Sequence, residues 1–257
     1  MIQLIPSIDL LGGRIVRLRH GNRDEVTFYD LDPTEWVTRL VEAGATRIHL
    51  VDLDGAFGEV RQAKAFASFP SRFPDVRFQL GGGLRTKAAI QEVMDLGFDA
   101  VVGTLAAERP TELVGLDPAS VIAALDMRGR QVVIHGWTSV SECDSTDVFE
   151  ALLTLGFNRA LVTDVDRDGT LEGPGLDVLA FVALEGFQVQ SSGGLRDLSD
   201  VEAMAGLPNV VGAISGKAIL EGRIDLAAPE TRAAISPEPG ARSPKPSTGG
   251  APCPPSE

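Results

Sequence analysis

The sequence predicts an α/β chain folded as one (β/α)₈ (TIM) barrel built from two related half-barrels. Three observations carry that prediction. Short apolar runs alternate with longer amphipathic segments, eight times over. The length of 257 residues suits a single barrel. Motifs of the first half also recur, in order, in the second.

The apolar runs fall at 3–8, 47–51, 76–80, 100–102, 121–125, 160–163, 188–190 and 210–214. Most show little alternation, as expected of parallel strands covered on both faces. Helices fit between them. Asp32-Pro33 opens one that runs to about Ala43 and stops at Gly44. Others are expected over 86–96, 146–155 and 197–205, each followed by a glycine. An open doubly wound sheet is the rival arrangement of the same alternation. The barrel is expected to occupy 1–234. Residues 235–257 are rich in Pro, Ser and Gly and are expected to form a disordered tail with no part in the fold.

Composition excludes several functions. The formal net charge of -13 leaves no cationic excess to displace counterions from nucleic acid. No apolar run reaches the roughly 18 residues of a membrane span. The apolar N-terminal segment carries Asp9 and lacks a basic leader, so it reads as a buried strand and not a signal peptide. The two cysteines, Cys143 and Cys253, form no disulfide or metal framework, and a cytoplasmic location is expected.

The repeat is specific. QLGGGLRT at 79–86 matches QSSGGLRD at 190–197, and RIHLVDLDG at 47–55 matches RALVTDVDRDG at 159–169. VVGTLA at 101–106 stands in the same relation to VVGAISGKAIL at 210–220, and the segment around Asp9 to that around Asp126. Equivalent sites are therefore expected on opposite sides of the barrel.

Two glycine clusters follow strands and precede helices: Gly81, Gly82 and Gly83, then Gly193 and Gly194. Their partner loops are Gly103-Thr104 and Ser215-Gly216-Lys217. Such loops aim backbone N–H groups at anions. Either cluster alone reads equally as a tight turn. Two, each paired with a second small-residue loop at equivalent places, favour two phosphate grips and a small substrate phosphorylated at both ends.

Asp9 and Asp126 end the first and fifth strands, where barrel side chains enter the active-site mouth. Asp9 interrupts an apolar strand and favours acid–base work; for Asp126 a structural role stands level with a catalytic one. The loop after the sixth strand holds Asp164, Asp166 and Asp168 behind Thr163. It fails the EF-hand pattern, so a proton donor among these acids is preferred to a Ca²⁺ site. Trp137 could stack on a planar ring or pack as a lid, and Arg17 could reach an anion or pair at the surface. His20, His49 and His135 have no metal spacing, and His49 is expected to be structural.

Taken in order, PSIDLLGGRIVRL, HLVDLDGA, LGGGLR, VVGTLA, HGW, TDVDRDGTLEGPGLD, SGGL and GKAILEG resemble the phosphoribosylformimino-aminoimidazole carboxamide ribotide isomerases of histidine biosynthesis, over about residues 1–228. The resemblance implies an Amadori rearrangement of a bis-phosphorylated aminoaldose to an aminoketose, without cofactor or metal, in a monomer. It implies that Asp9 is the base at C2, that Asp168 helps open the ribose ring, and that Asp126 and Thr163 support the acid. Arg17 and Trp137 match mobile contacts. Relatives that also isomerise phosphoribosylanthranilate carry Arg at position 135 and Ser at position 81; His135 and Gly81 stand here. The segment 104–121 is short for the family, which implies a reduced fourth helix, and Ser215 replaces a usual Val. A sister family, the cyclase subunit of imidazole glycerol phosphate synthase, is the alternative. Ser7 and Arg17-Leu18 depart from its pattern.

Overall fold

The structure is a computed structural model and describes residues 2–19 and 21–236. The expected tail lies outside the described residues from position 237 onward, as do His20 and Cys253.

Twelve strands are described: β1 (Gln3–Leu11), β2 (Arg14–Arg19), β3 (Asn22–Phe28), β4 (Arg47–Asp52), β5 (Arg77–Gly81), β6 (Asp99–Val102), β7 (Val121–Arg128), β8 (Gln131–Ile134), β9 (Ser139–Val140), β10 (Arg159–Asp164), β11 (Gln188–Ser192) and β12 (Val210–Ser215). Eight of them pair in parallel in the order β1-β4-β5-β6-β7-β10-β11-β12, and β12 pairs back onto β1. That closure makes a (β/α)₈ barrel and excludes the open sheet.

Each of the eight expected runs lies within or beside one of these strands. The other four strands form two hairpin extensions that were not expected. β1 turns back through β2 and β3, and β7 turns back through β8 and β9. The two extensions follow the first and fifth barrel strands, which are equivalent in the repeat.

The helices are α1 (Pro33–Glu42), α2 (Leu53–Ala56), α3 (Ser68–Arg72), α4 (Lys87–Asp95), α5 (Thr104–Glu108), α6 (Ser145–Thr154), α7 (Leu176–Leu184), α8 (Leu198–Met204), α9 (Lys217–Leu220) and α10 (Pro229–Ile235). The Asp32 carboxylate caps α1 by accepting from the Thr34 and Glu35 N–H groups at 2.8 and 3.0 Å. Thr86, Asp144 and Asp197 cap α4, α6 and α8 in the same way. α7 was not expected: LDVLAFVAL is apolar almost throughout and shows no helical stripe. The fourth crossover is short, with five residues in α5 followed by two 3₁₀ turns. α10 carries the fully buried Ile235, one residue past the expected end of the barrel at 234.

The strands divide two cores. Ile5, Val101, Ile122, Leu161 and Ile214 fill the barrel interior. Outward-facing strand residues meet the helices in the larger core, where Phe78, Phe149, Phe157 and Phe187 are fully buried, each contributing about 1.5–3 kcal/mol. At the N-terminal end of the barrel, Asp99 accepts from Arg77 and Arg159, both at 2.7 Å. The opposite end stays open and holds the site.

Candidate active site at the barrel mouth

A cavity of about 1100 Å³ opens at the C-terminal ends of the barrel strands, where all the expected site residues line it. It is walled by the loops after all eight barrel strands.

Its centre is a three-residue ion cluster. β1 brings in Asp9, β2 brings in Arg17, and the loop after β10 brings in Asp168. Arg17 donates to Asp9 Oδ2 at 2.9 Å and to both oxygens of Asp168, at 2.7 and 3.0 Å. Both carboxylates are buried. Arg17 is therefore no surface pair: it spans the two half-barrels and holds their acids together. Burial pushes the Asp9 carboxyl above its ordinary range, and the Asp168 charge adds to this. The Arg17 guanidinium opposes both effects. The two carboxylates in turn hold the Arg17 proton more tightly than usual, against the effect of its burial.

Asp126 stands beside this cluster. Thr163 is its neighbour in register across β7 and β10. The Trp137 indole N–H and the Thr163 hydroxyl face the Asp126 carboxylate and favour its ionised form. Burial still prevails and raises its pKa, with a further push from Asp168. Of the other two acids in that loop, Asp164 accepts the Asp166 N–H at 3.2 Å, and Asp166 faces Arg128. Only Asp168 of the three reaches the centre.

Trp137 sits in the turn between β8 and β9. His135, Gly136 and Trp137 all have positive φ, of 55, 66 and 70°. Two of the three are not glycine, so this turn is strained. It is held from three sides: the His135 N–H donates to Thr104 Oγ1 at 3.1 Å, the His135 ring faces Glu108 at 3.1 Å, and the indole packs on Gly21 from the other hairpin. The two hairpin extensions thus meet over the mouth. Gly21 and Glu108 went unnoticed in the sequence because neither belongs to a motif.

The glycine loops occupy equivalent positions in the two halves. A Cβ on Gly83 would lie 2.2 Å from the Gly55 carbonyl oxygen, and one on Gly194 would lie 2.3 Å from that of Gly173. Tight packing against the neighbouring loop therefore demands glycine at both places, whatever else these loops do. Gly81, Gly82 and Gly193 line the same two walls. Gly103 and Gly216 cap α5 and α9 without any side-chain acceptor, which leaves the first helical N–H groups free. Lys217 Nζ donates to the Gly169 carbonyl at 2.8 Å, tying the loop after β12 to the Asp168 loop. Ser215 is buried at the wall and its Oγ has no protein partner.

His49, expected to be structural, is buried within β4 and also lines the cavity floor beside Ser7, its partner in register.

The fold and site together define a (β/α)₈-barrel enzyme with paired acids and glycine-rich loops at one mouth. Residues 3–225 match a family model described as "Histidine biosynthesis protein". The chain belongs to that family. Among its relatives is the 1-(5-phosphoribosyl)-5-((5-phosphoribosylamino)methylideneamino)imidazole-4-carboxamide isomerase of Symbiobacterium thermophilum, 38% identical, with 88% of this chain and 94% of that protein covered. Proteins of the same name from Thermomicrobium roseum and Sorangium cellulosum are 41% and 42% identical, with 88% of this chain and 96% and 97% of theirs covered. No helix among the described residues is long and apolar enough to cross a membrane.

Proposed function

We propose that this chain catalyses the isomerisation named for those relatives, the Amadori rearrangement of a bis-phosphorylated aminoaldose to the aminoketose. The observation that carries this reading is the Asp9–Arg17–Asp168 cluster, which sets two buried carboxylates from opposite halves around one cavity. The glycine loops flank it on both sides and suit a substrate with a phosphate at each end.

Asp168 donates a proton to the ribose ring oxygen as the ring opens to the imine, Asp9 then removes the proton from C2 to give the enolamine, and loss of the 2-hydroxyl proton with protonation at C1 completes the aminoketose. A carboxyl raised by burial is a stronger base than a solvated one. The substrate displaces Arg17 from both acids, and Asp126 with Thr163 supports the acid. One observation favours a second assignment: the raised Asp126 carboxyl is itself suited to donate the proton.

The test is turnover of the bis-phosphorylated aminoaldose by the purified chain. Asp9→Asn and Asp168→Asn should each lower kcat by about 10²–10⁴-fold with little change in KM. Wild-type protein without turnover overturns the reading. An Asp168→Asn variant that keeps its rate while Asp126→Asn loses it transfers the acid role to Asp126.

Activity on phosphoribosylanthranilate is not part of the proposal. A Cβ at Gly81 would already meet Val101 Cβ at 3.3 Å, and His135 faces Glu108. Complementation of a histidine auxotroph but not a tryptophan auxotroph is the expected outcome. A monomer working in the cytoplasm is part of the same proposal.

A further inference from the structure

The barrel interior carries one polar string. Beside the Ile5, Val101, Ile122, Leu161 and Ile214 layer stand His49 on β4, Gln79 on β5 and Gln190 on β11. All three are buried. The Gln79 amide nitrogen donates to His49 Nδ1 at 3.1 Å and to Gln190 Oε1 at 2.8 Å. With the Gln79 amide nitrogen turned toward it, Nδ1 accepts and the imidazole proton resides on Nε2, while Gln79 Oε1 is left without a partner among the described residues. Burial lowers the His49 pKa to about 4, so the ring is neutral at physiological pH. The ring lines the cavity, and its Nε2 makes no hydrogen bond among the described residues.

The strand register sets its height. Ser7 pairs with His49, and Asp9 lies two residues further along the same strand. At about 3.3 Å per residue, the floor lies roughly 6–7 Å below the base. A sugar carbon held at Asp9 brings the neighbouring hydroxyls within reach of that floor. His49 Nε2 is not among the buried unpartnered atoms of the described residues, so it is open to the cavity and free to donate to a ligand there.

We propose that His49 is a substrate-contacting residue whose Nε2–H donates, from the cavity floor, to a hydroxyl oxygen of the sugar that Asp9 deprotonates. This rests on the isomerase reading and adds to it the contact that fixes the sugar's depth. The Gln79–Gln190 contact orients the ring and selects its tautomer.

Two substitutions separate this contact from a purely structural role. His49→Asn keeps an acceptor near Nδ1 for Gln79 and loses the donor at Nε2. His49→Gln keeps a donor near Nε2 and loses the acceptor. The contact predicts kcat/KM for His49→Gln within about threefold of wild type and for His49→Asn about tenfold lower, the worth of one hydrogen bond. A structural role predicts the reverse order. Thermal unfolding of both variants checks that they fold. In wild-type protein labelled with ¹⁵N-histidine, the Nε2–H resonance of His49 should shift on saturation with the aminoaldose. If His49→Asn matches wild type, or if the two variants rank in reverse, the contact is wrong while the isomerase reading stands. If wild-type protein turns over no substrate, both fall.

Discussion

Replacing Trp137 by Phe removes one N–H and leaves most of the ring in place. That N–H faces the Asp126 carboxylate and favours its ionised form. Its loss should therefore raise the Asp126 pKa further, adding to the effect of burial. A hydrogen bond to a charged group contributes about 1.5–3 kcal/mol. Asp126 is only partly buried, so the lower end of that range is expected. The direct assay is ¹³C NMR of the labelled aspartate carboxyls, following Asp126 through a pH titration in both proteins. The acidic limb of the kcat/KM profile should move upward with it if Asp126 works in its ionised form. An Asp126 titration unmoved by the substitution would refute the indole's hold on this carboxylate.

Two further outcomes test the frame. Gly83→Ala places a methyl against the Gly55 carbonyl at a φ of +68°. The left-handed backbone costs about 1–2 kcal/mol and the overlap about 1–3 kcal/mol more. At about 2–4 °C per kcal/mol, calorimetry should show Tm falling by at least about 4 °C, and Gly194→Ala should behave alike; an unchanged Tm in both would mean these loops are less tightly packed than they look. Asp126→Asn should flatten the dependence of Tm on pH. The folded state binds the Asp126 proton more tightly than the unfolded chain does, so stability falls as pH rises from the ordinary carboxylate value through the raised one. A neutral side chain removes that contribution, and an unaltered Tm–pH curve would count against it.

The barrel was legible because its strands are continuous apolar runs and because glycines and capping residues punctuate α1, α4, α6 and α8. α7 was missed because its apolar surface runs nearly all round, which erases the periodicity that marks a surface helix. The hairpin extensions were hidden for another reason. RIVRLR and QVVI read as loop continuations of β1 and β7, and only their pairing back onto those strands identifies them. The acids and glycine loops were visible as motifs, because their chemistry is tied to residue type and spacing. The bridge that Arg17 makes between halves, the packing of Trp137 on Gly21 and the cavity-facing side of His49 depend on distances across the barrel. Local sequence carries no record of those.

The bond between Gln79 and Gln190 joins the same position of the two halves across the barrel axis. An amide donates and accepts with equal ease, so this contact is complementary to itself. A barrel assembled from two copies of either half would present glutamine to glutamine at that place and could close the bond unchanged. The interior thus keeps, at one pair of residues, the self-matching surface that a two-fold assembly of separate half-barrels requires.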